Sequence, residues 1–169
     1  QENTVPPRLD CRVEWSAQYK KAREYLYGSS DVEQDFSKAY QLFHEEALSG
    51  NALAIYDLGR IYHDGLGVEI DEEIAQQWYA KALAAFTVVH SKKPKPYVQY
   101  RIGKMFAAGQ GTVQDYGKAA AWFEQAVEKN HKYAQYSLAG LYYRGNGVVQ
   151  DYTTAFSLYE KSAIQGNPY

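Results

Sequence analysis

Few residues in this chain are of a type that makes or breaks bonds, and their spacing tells against that use. There are four histidines, His44, His63, His90 and His131, and one cysteine, Cys11. His44-Glu45-Glu46 begins like the His-Glu-x-x-His helix of a zinc hydrolase, but the fourth residue after His44 is Leu48, so the second ligand is missing. A single cysteine can form neither an internal disulfide nor a cysteine-based zinc site. No Gly-x-Ser-x-Gly elbow occurs. The paired acids Glu45/Glu46 and Glu72/Glu73 fall on helices with polar faces, where solvation is their ordinary role and no desolvated cleft can be inferred. Gly-x-Gly occurs at Gly65-Leu66-Gly67, Gly109-Gln110-Gly111 and Gly145-Asn146-Gly147. A phosphate cradle would need a preceding strand and a third glycine, or a Gly-Lys-Ser/Thr, and the chain has none of these. The expectation is a chain that is not an enzyme and takes no cofactor or metal.

The glycines belong instead to a frame that recurs along the chain. It reads AIYDLGRIYHDGLGVEIDEEIA from Ala54, VQYRIGKMFAAGQGTVQDYGKA from Val98 and AQYSLAGLYYRGNGVVQDYTTA from Ala134, with a weaker copy, AQYKKAREYLYGSSDVEQDFSKA, from Ala17. The acids after the turns are Asp35, Asp71, Asp115 and Asp151, in steps of 36, 44 and 36 residues. A fixed period of this size means stacked supersecondary units. Each unit reads as two antiparallel helices. The first Gly of the turn ends one helix in a left-handed conformation, the second allows a further reversal, and the acid caps the next helix. Bulky pairs then fill the space between layers: Trp78 and Tyr79, Trp122 and Phe123, Leu158 and Tyr159. The expected organisation is an extended lead-in or linker over residues 1–14, with structure beginning near Trp15. Repeats follow at about 15–51, 52–96, 97–131 and 132–167, the first a degenerate cap of the array.

The longer step adds eight residues after Trp78. AAFTVVH contains no breaker, so the helix is expected to run about two turns further, to Ser91-Lys92-Lys93-Pro94-Lys95-Pro96. The three lysines read as a solvated loop or as a contact for an acidic partner or phosphate. At the other end, Gly166-Asn167-Pro168-Tyr169 matches a helix start. Either more repeats follow, or the uncovered face of the last helix pairs with another copy of the chain.

Composition narrows the function classes. With 18 Lys plus Arg against 20 Asp plus Glu, the net charge of −2 disfavours binding to a nucleic-acid backbone. No apolar run reaches the roughly 18 residues of a membrane span. Gln1 at the start leads us to expect a fragment or processed form, and the lone cysteine fits the cytoplasm. The anomaly is tyrosine, 17 in 169 residues, a common anchor at protein interfaces.

Four tyrosines occupy one slot of the frame: Tyr19, Tyr56, Tyr100 and Tyr136. Residues three before, four after and seven after share their helix side. That stripe reads Ser16, Tyr19, Arg23, Leu26; Leu53, Tyr56, Arg60, His63; Tyr97, Tyr100, Lys104, Ala107; and Tyr133, Tyr136, Gly140, Tyr143. Two readings stand together. The tyrosines pack between layers, or the stripe is a binding groove whose Arg23, Arg60 and Lys104 favour an acidic peptide.

The frame Ala-x-Tyr-x-Leu-Gly-x-x-Tyr-x-x-Gly-x-Gly-Val-x-x-Asp-x-x-x-Ala-x-x-Trp-Tyr/Phe resembles Sel1-like repeats, relatives of tetratricopeptide repeats. It is met almost in full from Ala54 to Tyr79, and with small departures from Val98 to Phe123 and from Ala134 to Tyr159. Those departures are Val98 for Ala, Thr112 for Val, Ala139 for Gly and Leu158 for Trp. The resemblance implies an all-α, right-handed α/α superhelix that acts as a protein–protein adaptor, with the first helix of each pair on the concave surface and no catalytic residues. On it, the candidate partner-binding residues are Tyr19, Arg23, Tyr56, Arg60, His63, Tyr97, Tyr100, Lys104, Tyr133, Tyr136 and Tyr143. The wording of YRIGKMFAAGQGTVQDY and HKYAQYSLAGLYYRGNGV also resembles repeat tails of bacterial mobilisation relaxases. The alternative expectation is thus an accessory module of a larger DNA-mobilisation protein.

Overall fold

The computed structural model describes residues 11–169. Among them are eight helices: α1 (Ala17–Tyr27), α2 (Phe36–Leu48), α3 (Ala52–Asp64), α4 (Glu72–Lys92), α5 (Pro96–Ala108), α6 (Tyr116–Glu128), α7 (Lys132–Arg144) and α8 (Tyr152–Ile164). The only extended pairing among the described residues is a bridge between Arg12 and Asn51. The fold is all-α, of the α/α solenoid class, with four helix pairs in series. It divides between Val89 and His90 into two compact units of two pairs each.

The spaced acids explain where the second helices begin. Asp35 accepts from the Lys38 amide at 3.0 Å, Asp71 from Ile74 at 3.0 Å, Asp115 from Lys118 at 2.9 Å and Asp151 from Thr154 at 3.1 Å. The amide of each acid in turn donates to a carbonyl near the end of the preceding helix, at Tyr25, Tyr62, Phe106 and Tyr142. One residue therefore both starts a helix and ties down the turn before it. α4 has 21 residues where α3 has 13, the two-turn extension expected of an unbroken AAFTVVH.

The glycines of the turn divide the work. Gly145 has φ 69° and ψ 33°, the left-handed stop of α7. The second glycine has a duty that the sequence reading did not assign. A Cβ on Gly147 would lie 2.3 Å from the carbonyl carbon of Tyr116, and one on Gly67 would lie 2.4 Å from Cβ of Phe36. These two turns thus rest on the start of the second helix of the repeat before them. The first repeat has no helix pair before it among the described residues, and its turn is the one without a second glycine.

The lead-in is extended over its described part, but it is not a loose linker. Cys11 is buried. Arg12 exchanges main-chain hydrogen bonds with Gly50 and Ala52, and its guanidinium donates to Ser49 and to the buried Glu46. Asn51 donates to the Glu14 carbonyl at 2.7 Å. Structure therefore begins before Trp15, on the α2–α3 junction. The expectation for residues 1–10 lies outside the described residues.

Two tyrosine faces as the candidate partner site

The repeated tyrosine packs in every repeat. Tyr19 meets Phe43, Tyr56 meets Tyr79, Tyr100 meets Phe123 and Tyr136 meets Tyr159, with ring centroids 5.7, 5.1, 6.1 and 5.2 Å apart. In the middle repeats this contact needs a glycine one turn on. A Cβ on Gly59 would meet the Tyr79 ring at 2.6 Å, and one on Gly103 the Phe123 ring at 2.7 Å. What differs among the four tyrosines is exposure, from 1% at Tyr19 to 38% at Tyr136.

In the first unit the stripe is satisfied internally. The Tyr19 hydroxyl donates to buried Asp57 at 2.5 Å. Burial first, then the Asp57 charge, pushes the Tyr19 pKa up, so it stays a neutral donor. Tyr19 is therefore a core residue, because no partner can reach it. Arg23 lies over Trp15 and Tyr27, each 5.2 Å from the ring centre, with a nitrogen 3.9 Å from Asp57. Arg60 approaches Asp57 at 3.9 Å and Asp64 at 3.8 Å, and it donates to the Tyr27 hydroxyl at 2.9 Å. Arg23 and Arg60 are thus not the open basic row that the sequence reading expected. Asp57, next to Tyr56 in an otherwise apolar run, was the missed signal. Tyr56 is half-buried and His63 exposed, its Nδ1 2.7 Å from Glu72.

The second unit differs at that point. Its frame has Ser137 in the last repeat where Asp57 stands in the second. Lys104 Nζ lies 5.9 Å from the Tyr100 ring centre, is exposed, and makes no ion pair among the described residues. Desolvation by the surrounding side chains, then the charge of Arg101, holds its pKa below the ordinary lysine value. Arg101 donates to the Tyr97 hydroxyl at 2.7 Å. The His131 ring lies 5.1 Å from Tyr100 and 5.9 Å from Tyr133, and its Nδ1 accepts from the Ala134 amide at the start of α7. Burial first, then Lys132, lowers its pKa, which keeps that acceptor neutral.

Tyr133, Tyr136 and Tyr143 are exposed. Tyr136 also meets Tyr169 at 6.1 Å, while Tyr143 meets Tyr152 at 5.2 Å and Phe156 at 6.4 Å with tilted rings. The structure thus brings Tyr97, Tyr100 and Tyr133 together around His131. It places Tyr136 and Tyr143 in two further aromatic contacts, whose members Tyr152, Phe156 and Tyr169 sequence reasoning missed.

Among the described residues no group of three or more His, Cys, Asp or Glu stands where it could hold a metal. No described helix is long and apolar enough to cross a membrane.

Comparison with known proteins agrees with this geometry. A Sel1 repeat protein from Oxalobacter formigenes is 26% identical over 89% of this chain and 58% of its own, with a TM-score of 0.65. A protective antigen of uropathogenic Escherichia coli, c5321, described as having an SLR fold, is 26% identical over 89% of this chain and 38% of its own, with a TM-score of 0.49. The immunity protein Pa5087 from Pseudomonas aeruginosa, 18% identical over 98% of this chain and 72% of its own, shares the fold at a TM-score of 0.51. The chain thus spans little more than half of the first of these proteins and less than half of the second. No curated protein matches it. The Sel1 repeat model matches residues 15–51, 52–85, 96–131 and 132–167, so the four helix pairs are four such repeats and the chain belongs to the Sel1 repeat family.

Proposed function

We propose that this chain is a non-catalytic scaffold that holds a peptide segment of a protein partner on its first-helix surface, and that the second unit supplies the grip. Sel1 repeats generally mediate protein–protein interaction, which sets the class. The observation that carries the finer reading is Lys104: a partly desolvated cation with no ion pair among the described residues, 5.9 Å from the ring centre of half-buried Tyr100, which in turn meets exposed Tyr133. An acidic side chain of the peptide would pair with Lys104, and its apolar side chains would lie against Tyr97, Tyr100, Tyr133, Tyr136 and Tyr143. Tyrosine provides this contact area at small cost in side-chain entropy.

The test is a selection of peptides from a random display library on the intact chain. Acidic residues beside apolar or aromatic ones should be enriched. Lys104→Glu should weaken the selected peptides by about tenfold or more, while Arg60→Glu in a folded chain should change little. Peptides that bind Lys104→Glu as tightly as the original chain would remove this reading.

A further inference from the structure

The frame puts a tryptophan on the second helix at Trp78 and Trp122, and Leu158 at the same place in the last repeat. Trp78 shows how that place is filled. It is 5% exposed, its ring meets His44 edge-on at 6.2 Å, and Lys81 Nζ lies 4.8 Å from the ring centre. Ile74 stands one helical turn before it. In the second unit the same register reads Thr154, Leu158 and Lys161, with Glu124 in the place of His44. The two large apolar side chains have become smaller, and the lysine is kept. At this place a cleft of about 390 Å³ opens, with Leu138, Tyr142 and Leu158 among its lining residues and Thr154, Glu124 and Lys161 around them. Loss of side-chain volume in a packed frame that collapses only in part leaves such a space.

We propose that this cleft is a binding site for an aromatic side chain of a partner, an indole by preference, seated where the frame's own tryptophan is missing. Leu138 and Leu158 provide an apolar floor for the ring. The Lys161 ammonium lies over its face as that of Lys81 lies over Trp78. The Glu124 carboxylate, to which the Tyr142 hydroxyl donates at 3.5 Å, accepts the indole N–H. A leucine or valine side chain would gain neither polar contact. The site uses none of the residues proposed to grip an acidic peptide, so the two readings stand or fall separately.

The experiment titrates N-acetyl-tryptophanamide and N-acetyl-leucinamide separately into the isotope-labelled chain and follows the backbone amides of Glu124, Thr154 and Leu158. The tryptophan probe should give saturable shifts with a Kd of about 1 mM or tighter, and the leucine probe should bind at least about tenfold more weakly. Leu158→Trp restores the residue of the frame and should abolish the shifts. Thr154→Ile restores the residue found at Ile74, should weaken binding several-fold, and serves if the tryptophan variant does not fold. No saturable shift by about 10 mM, an equal response to the leucine probe, or undiminished binding in a folded variant would each overturn the proposal.

Discussion

The two units share one frame but leave its first-helix stripe in different states. In the first, Arg23 and Arg60 converge on Asp57, Tyr19 closes over the same carboxylate, and the stripe is consumed by its own contacts. In the second, Ser137 stands in the place of Asp57, Lys104 has no ion pair among the described residues, and Tyr133, Tyr136 and Tyr143 face solvent. A buried acid turns a cationic row into internal structure, and where serine replaces it Lys104 has no such acid beside it. Exposure and charge compensation, rather than the repeated tyrosine itself, distinguish the two stripes.

The comparison breaks most forcefully at the acid. Asp57→Ala strands the Tyr19 hydroxyl, removes the one acid paired with Arg23 and one of two paired with Arg60 among the described residues, and should cost about 3 kcal/mol in urea unfolding, where Ser137→Ala should stay within about 0.5 kcal/mol. Transplanting the acid sharpens the contrast in the other direction. Ser137→Asp should pair with Lys104, leave the fold intact, and weaken a selected acidic peptide by about tenfold.

Lys104→Met comes next. Because the folded pKa of Lys104 lies below its unfolded value, the charged form is disfavoured by folding, and stability rises as pH climbs from the folded towards the unfolded pKa. Removing the charge should therefore leave the melting temperature at neutral pH unchanged or slightly higher, while peptide binding falls. That pairing of unharmed stability with lost affinity marks a residue kept for function. Arg23→Met, in contrast, should lower the melting temperature.

The smallest effect belongs to His131, which caps α7 as Asn51 caps α3. Its folded pKa is lowered, so as pH falls through about 6.5 the unfolded chain takes up the proton first and the second unit loses stability. His131→Asn should remove that part of the drop in melting temperature between about pH 7.5 and about pH 5.5. An unchanged pH dependence would show that the cap is not the titrating group.

The fold was legible because its determinants are local. Asp35, Asp71, Asp115 and Asp151 cap helices that begin one residue later, and an unbroken run after Trp78 lengthens α4, so spacing alone located the elements. Two features needed the third dimension. The role of Gly67 and Gly147 depends on Phe36 and Tyr116, about thirty residues back in the chain, and only stacking brings them together. The fate of Arg23 depends on Asp57 in the next repeat, which a stripe drawn along one helix face does not include. The stripe misjudged the first unit because it recorded cations without the acids that face them. The departure at Leu158 was visible as a letter, but its consequence, an open cleft, depended on which neighbours kept their size.

The most direct measurement of the central claim is amide chemical-shift mapping of a selected acidic peptide on the intact chain. The account predicts saturable shifts at Tyr97, Tyr100, Lys104, Tyr133 and Tyr136, lost together in Ser137→Asp, with Tyr56, Arg60 and His63 unmoved. Shifts centred on Tyr56, Arg60 and His63, or a second-unit response that survives Ser137→Asp, would contradict it.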